Sequence, residues 1–400
     1  MTPKSWRLSA WALSLPAVRF LLLLALAPLA SAEAPFQRSV WHPELTEVRL
    51  SDIETRLGSA VLEALKRSEP VLDAPLVEAA RLYAERDGNP GDALIASGVS
   101  DAYVVPIRYV ARTKDLLAPV RQLLRDRIDA EGITHFGVGV APPQAGHVIA
   151  LLCVRRGAEL ARFPKAMPLG QRFLLNGRLQ DGLDHPRVLV ADPTGHIRDV
   201  EPRHRGQVFW ITLSFEEGPG AYTVEVQAKN KFGTQVLNIM EVHAANGTSE
   251  PTVPLVRLRP PAVLVRSAEE AERRSLALLN HTRESMGFQP LRGSADLTVE
   301  AEEHARDMAE TGFFGHQSPK RGGLPARLQR ARIAYTLALE NIALGPSPDS
   351  VHADLIRSPS HLRNILDPDV SHVGVGVYEE RSGPEPVYII TQIFGRFRPL

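Results

Sequence analysis

The stretch "LTVEAEEHARDMAETGFFGHQSP", Leu297 to Pro319, passes from a helical pattern to a loop within a single turn. Leu297, Ala301, His304, Ala305 and Met308 recur at three- and four-residue spacings, which places them on one apolar helix face with His304 inside the stripe. Gly312 comes just after the stripe, where a residue able to adopt left-handed backbone ends a helix. His304 therefore reads as a histidine packed in a core. His316 lies beyond the stop, on a loop that Phe313 and Phe314 can hold from beneath and that can present it to a cleft.

Working outward, 400 residues suit several domains rather than one core. The apolar fraction of 44% and charged fraction of 23% are those of a globular chain. Basic and acidic side chains number 46 each, so no global field recruits nucleic acid or an anionic membrane. At the N-terminus Lys4, Arg7 and Arg19 accompany an apolar run from Phe20 to Ala30, too short to span a bilayer, and Ala30-Ser31-Ala32 has the small residues of a cleavage site. Residues 1–32 thus read as a secretory signal cut after Ala32. That leaves no transmembrane segment and predicts a periplasmic or secreted chain. The signal region has no cysteine to carry a lipid anchor, and the sole cysteine, Cys153, sits in the apolar run "VIALLCV". Exported domains without disulfides must be held by their cores, and Cys153 reads as a small buried hydrophobe.

Pro and Gly clusters divide the rest. "ARFPKAMPLG" (161–170) and the four-proline stretch "ANGTSEPTVPLVRLRPPAV" (245–263) bound three blocks, 40–160, 165–248 and 264–400, with 249–263 as a Pro-rich linker. The middle block is a series of short β-branched and aromatic segments between turns. Within it "GPGAYTVEVQA" resembles the tyrosine-corner strand of an immunoglobulin-like β-sandwich, with Tyr222 at the corner. The last block alternates helix and strand. Ser267 and Glu270 have capping-box spacing, and Ser358-Pro359 reads as an N-cap followed by proline at the first helical position.

Taken in order, "LNHTRESMGFQPL", the opening stretch, "ALENIALG", "SPSHLRNIL", "HVGVGV" and "YIITQIFG" resemble the CAP superfamily, which includes cysteine-rich secretory, antigen 5 and pathogenesis-related 1 proteins, in its disulfide-free bacterial branch. The likeness covers about 268–397. It implies a three-layer α-β-α sandwich with a cleft, in which His316 and His361 match the two cleft histidines and Glu340 the glutamate of a Gly-Glu-Asn motif. Leu339 stands where that motif has glycine, Leu355 where many bacterial members have tryptophan, and Asp354 is the candidate for a second cleft acid.

The first block repeats part of this pattern. "LVEAARLYAER" pairs Leu76, Ala80, Tyr83 and Ala84 with Leu297, Ala301, His304 and Ala305, and "THFGVGV" (134–140) pairs with "SHVGVGV" (371–377). Block 40–160 therefore reads as a degenerate CAP-like α/β domain. Its segment 86–130 contains no His and no Glu, so it should lack the cleft chemistry, which the last block would carry alone. The expected fold class is multidomain α+β, with the β-sandwich between two CAP-type units.

Two imidazoles and a carboxylate can bind a divalent ion such as Zn²⁺, or form a hydrogen-bonded network that orients the loops. The chain has no His-Glu-x-x-His, Gly-x-Ser-x-Gly or paired-cysteine motif, and capping or turn roles account for Ser318, Ser358 and Ser360. Three functions remain open: binding of a lipid, peptide or cell-wall fragment in the cleft, metal-assisted hydrolysis by His316, Glu340 and His361, or a structural or adhesive role.

Overall fold

The structure, a computed structural model, describes residues 40–44, 48–86, 89–112, 114–128, 132–141, 147–246, 263, 265–381 and 386–397. The expected signal sequence and nearly all of the 249–263 linker lie outside them. The stripe of the opening stretch is buried throughout: Leu297, Ala301, His304, Ala305 and Met308 are at most 2% exposed on the helix Ala295–Thr311. Gly312 ends that helix at φ 69°, with its N–H donating to the Met308 carbonyl. Left-handed backbone is required here, which is why glycine is.

This helix lies on one face of a four-stranded sheet ordered Arg292–Gly293, His372–Glu380, Val387–Arg396, Leu337–Gly345. The helices Ala268–Ser285 and Pro348–Arg357 cover the other face, where Leu279, Val351 and Leu355 pack with Val373, Val375, Tyr388 and Phe394. The result is three layers, helix, sheet and helix. "GVGV" explains how closely the layers approach. A Cβ on Gly374 would lie 2.1 Å from the Leu297 carbonyl carbon, and one on Gly376 would lie 2.0 Å from the Glu302 nitrogen. Helix backbone rests on strand backbone there, and only glycine leaves room.

The first unit has the same strand order: Val71–Leu72, His135–Ala141, His147–Val154, Val104–Ala111. Its first pair is parallel and its other two antiparallel, as in the last unit. Leu76, Ala80 and Ala84 are buried, and Cβ atoms on Gly137 and Gly139 would lie 2.2 Å from the backbone at Leu76 and Ala80. Following the register through Gly137, Leu152 and Pro106, and through Gly374, Ile393 and Glu340, puts Pro106 at the place of Glu340. Cys153 is fully buried among the apolar residues of this unit. Gly58, inside the helix Asp52–Ala64, meets nothing within 4 Å of a built Cβ. Gly58→Ala should therefore raise stability by about 0.5–1 kcal/mol, because Ala orders at lower entropic cost in a helix. A lower denaturation midpoint in Gly58→Ala would contradict that packing.

Between these units a five-stranded and a four-stranded sheet face each other across Phe209, Phe215, Tyr222, Val224, Met240 and Val242. The Tyr222 hydroxyl donates to the Gly218 carbonyl, 2.7 Å away, tying the strand to its preceding turn. Trp41, which the sequence groups with the first block, lies in this core. Val40–Trp41 pairs with Phe163–Pro164, and the Trp41 indole N–H donates to the Glu241 carbonyl.

Two local readings differ from the structure in detail. Ser267 caps its helix by accepting from the Glu270 N–H, but the Glu270 carboxylate accepts from Arg266, so no reciprocal box closes on Ser267 itself. Ser358 is the N-cap residue before Pro359, yet its hydroxyl caps no backbone N–H of its own helix. It donates to Glu225 of the central unit.

Candidate functional site: a cleft between three units

Glu340 is the fixed point of the site. The strand Leu337–Gly345 holds it at the centre of the sheet edge, and its side chain is 3% exposed. His316 Nδ1 lies 2.8 Å from one carboxylate oxygen, and Arg327 Nη2 lies 2.6 Å from the other. Burial would raise the Glu340 pKa, but the His316 hydrogen bond and the Arg327 charge outweigh it and hold the carboxyl down to about 2. Arg327, fully buried, also approaches Glu300, which Arg321 pairs at 2.8 Å. With Nδ1 on the carboxylate, His316 has its Nε2 free of Glu340 and lines the cleft.

His304 is buried as expected, and its Nε2 donates to the Gly315 carbonyl at 3.1 Å. It also stands 3.9 Å from Glu340, closer to the site than a core residue needs to be. His361 enters from the first turn of the helix Pro359–Ile365 and lines the same cavity as His316, though it does not bond Glu340. Asn341 fixes it, donating to the His361 carbonyl and to Gln392 while accepting from Asn364. The sequence reading gave no role to Asn341 or Arg327. Asn341 was in plain view beside Glu340, whereas Arg327 had no signal to separate it from the other arginines around it.

The residues do not fit a Zn²⁺ site. Both Glu340 oxygens already accept hydrogen bonds, one of them from a permanent cation, and no group of three His, Cys, Asp or Glu side chains among the described residues is arranged to hold a metal ion. The arrangement fits a hydrogen-bonded network that aims His316.

The cleft is not the property of the last unit alone. Its cavity, about 350 Å³, is lined by His316, His361 and Leu355, by Phe232 and Leu237 of the central unit, and by Tyr103 and Arg155 of the first. Phe313 packs on Phe232, and Phe314 meets Tyr103 edge-on at 5.2 Å. The Gln317 N–H donates to the Phe232 carbonyl, and a Cβ on Gly315 would lie 2.6 Å from the Phe232 Cβ. The two phenylalanines thus do more than support their loop. They dock it against both other units. Deleting the first unit would remove a wall of the cleft, contrary to the expectation that the last unit acts alone. Asp354 also lines the cavity, 3.6 Å from Arg357.

The model of the cysteine-rich secretory protein family, CAP, matches residues 276–394. Residues 276–394 are a CAP domain. This region is 34% identical over 117 residues to the uncharacterised protein YkwD of Bacillus subtilis, a match covering 29% of this chain and 46% of that protein. It is 34% identical over 109 residues to the uncharacterised B. subtilis membrane protein YlbC, covering 27% and 31%. The chain spans under half the length of these curated relatives. Among solved structures it is similar to an extracellular SCP-domain protein of Bacillus anthracis, with 21% identity over 54% of this chain and 68% of that one, at a TM-score of 0.29. It is also similar to a cysteine-rich secretory protein of Staphylococcus aureus, with 12% identity over 82% and 99%, at 0.28. No helix among the described residues is long and apolar enough to cross a membrane.

The CAP domain and its neighbours bury histidines that burial keeps neutral. His42, His135, His304 and His352 are lowered to about 4 and His361 to about 3, in each case first by burial. Unfolded, these rings take up protons near pH 6.5. Between about pH 6.5 and 4 the unfolded chain binds more protons, so stability is full above that window and falls as pH drops through it. The raised carboxyls of Glu225 and Glu272 act in the opposite sense, but they are outnumbered. Thermal melts should give a Tm several degrees lower near pH 5 than near pH 7.5. Equal values would mean the rings protonate without unfolding.

Proposed function

We propose that the protein works outside the cytoplasm and binds a small ligand, a lipid, peptide or cell-wall fragment, in the cleft between its units. The observation that carries this reading is the cavity itself. At about 350 Å³, with aromatic and aliphatic walls and a few converging polar groups, it has the size and lining of small-molecule sites. Export rests on the signal pattern of residues 1–32. The repeated strand order and paired glycines support reading residues 40–160 as a degenerate CAP-like copy, with Pro106 where the acid would be. The facing sheets and the Tyr222 bond support an immunoglobulin-like sandwich for 165–248. The middle unit then closes the cleft rather than spacing the outer two.

Native mass spectrometry of the mature chain is the test. An adduct should co-purify and be lost on Phe314→Ala, which opens the wall. A bare mass for the wild type, unchanged on incubation with lipid, peptide and wall extracts, would sink the reading.

A second reading, hydrolysis without a metal, is favoured by one observation: Glu340 orients His316 as a carboxylate orients the base of a catalytic pair. The serines nearby are engaged elsewhere, Ser318 with Asp307 and Ser358 with Glu225, so His316 would have to activate water. Turnover of a peptide or ester library that is lost in His316→Gln would favour it.

A further inference from the structure

We propose that the cleft reads a single oxyanion, a carboxylate or phosphate monoester, carried on a short apolar body, and that Arg155 of the first unit is the residue that reads it. This rests on the cleft-binding reading above. Two arginines stand side by side in the cavity wall, and they are treated differently. Arg156 is neutralised by Asp73 at 3.0 Å and Asp101 at 2.9 Å. Arg155 makes no ion pair among the described residues. Its guanidinium carbon lies 4.0 Å from the centre of the Tyr103 ring, which supports the charge through its face but takes none of its hydrogen bonds.

The other charged groups of the cavity do not answer it. Asp181 is exposed, and Asp354 faces Arg357 at 3.6 Å. His316 is turned to Glu340, and burial keeps His361 neutral, lowered to about 3. Among the described residues the cavity therefore carries one unopposed permanent cation, half-buried and stacked in place. A guanidinium so placed has lost water without gaining an acceptor, and an oxyanion that meets its N–H fork restores both charge and hydrogen bonds. Beyond it Phe232, Phe314, Ile342, Leu344 and Leu355 supply an apolar wall. The enclosed volume suits a short or medium acyl chain rather than a long one. His316 Nε2, the ring nitrogen not engaged by Glu340, remains for a polar group of the same ligand.

Calorimetric titration of the intact chain with decanoate, decyl phosphate and decanol tests this. Decanoate or decyl phosphate should bind at least about tenfold more tightly than decanol, and which of the two wins names the headgroup. Arg155→Gln should reduce the anion to the affinity of decanol and leave decanol unchanged, while Arg155→Lys keeps part of the preference. Matching thermal melts of the variants would confirm that they fold. Equal binding of anion and alcohol by the wild type, or a preference that survives Arg155→Gln, would overturn the Arg155 proposal and leave the cleft as a neutral apolar site. Binding of none of the three would overturn the Arg155 proposal, and the reading on which it rests would fall with it only if native mass spectrometry also found no adduct.

Discussion

Gly376→Ala should cost the CAP domain about 3 kcal/mol or more, near the upper end of what overpacking a well-filled core does. The added Cβ would sit 2.0 Å from the Glu302 nitrogen and 2.2 Å from the Ala301 carbonyl carbon, against backbone that no rotamer change can move. Relief requires the whole helix Ala295–Thr311 to lift off the sheet, which uncovers Leu297, Ala301, Ala305 and Met308 together. Gly139→Ala should do the same in the first unit, where the Cβ would lie 2.2 Å from the Ala80 carbonyl carbon and 2.3 Å from the Arg81 nitrogen. Gly293→Ala is the control, since its nearest neighbour would be the Leu276 Cδ2 at 3.7 Å. Denaturant midpoints for the three variants decide the matter. Tolerance of Gly376→Ala would mean that helix and strand are not in backbone contact.

Arg327→Met should be about as damaging, at roughly 3–5 kcal/mol, because it strands buried carboxylates instead of removing a contact between solvated groups. Arg327 is fully buried, 2.6 Å from Glu340 and 3.4 Å from Glu300. Without it Glu340 keeps His316 and, at 3.9 Å, His304 but no permanent cation, and its pKa, held near 2, must rise. Two consequences separate this from ordinary loss of packing. The deficit should shrink below about pH 4.5, where Glu340 can protonate in both states, and Arg327→Met with Glu340→Gln should recover much of it. A pH-independent loss, unrelieved in the double variant, would show that Arg327 acts through its volume alone. In ligand titrations Arg327→Met should also weaken binding at His316, since the carboxylate that fixes the ring is no longer fixed.

Much of the CAP domain was legible because its determinants are local. The stripe from Leu297 to Met308, the stop at Gly312, the glycines of "HVGVGV" and the order of the six motifs lie in short windows, where period and backbone sterics leave few alternatives. The repetition of that stripe and those glycines in the first block was legible for the same reason. His316, Glu340 and His361 could be named from the resemblance, and the structure brings all three to one region.

What they do there depended on residues far away in sequence. Arg327 is one of several arginines in a polar stretch, and only the fold puts it on Glu340 instead of in water. Glu225 is clearer still. Its strand alternates, with Tyr222, Val224 and Val226 turned into the sandwich, so the pattern alone assigns Glu225 to solvent. It is instead fully buried, accepting from Ser358 and Gln227, because the helix that carries His361 is set down on that outer face. Periodicity tells which side of an element is apolar. It cannot tell that a polar side will be covered by another domain, since that depends on contacts between segments more than a hundred residues apart. Sequence alone determined the layered folding of the C-terminal unit, and the resemblance it carries named two histidines and an acid for the cleft. The tertiary structure decided that Glu340 belongs to a guanidinium and an imidazole, and that the cleft has three owners.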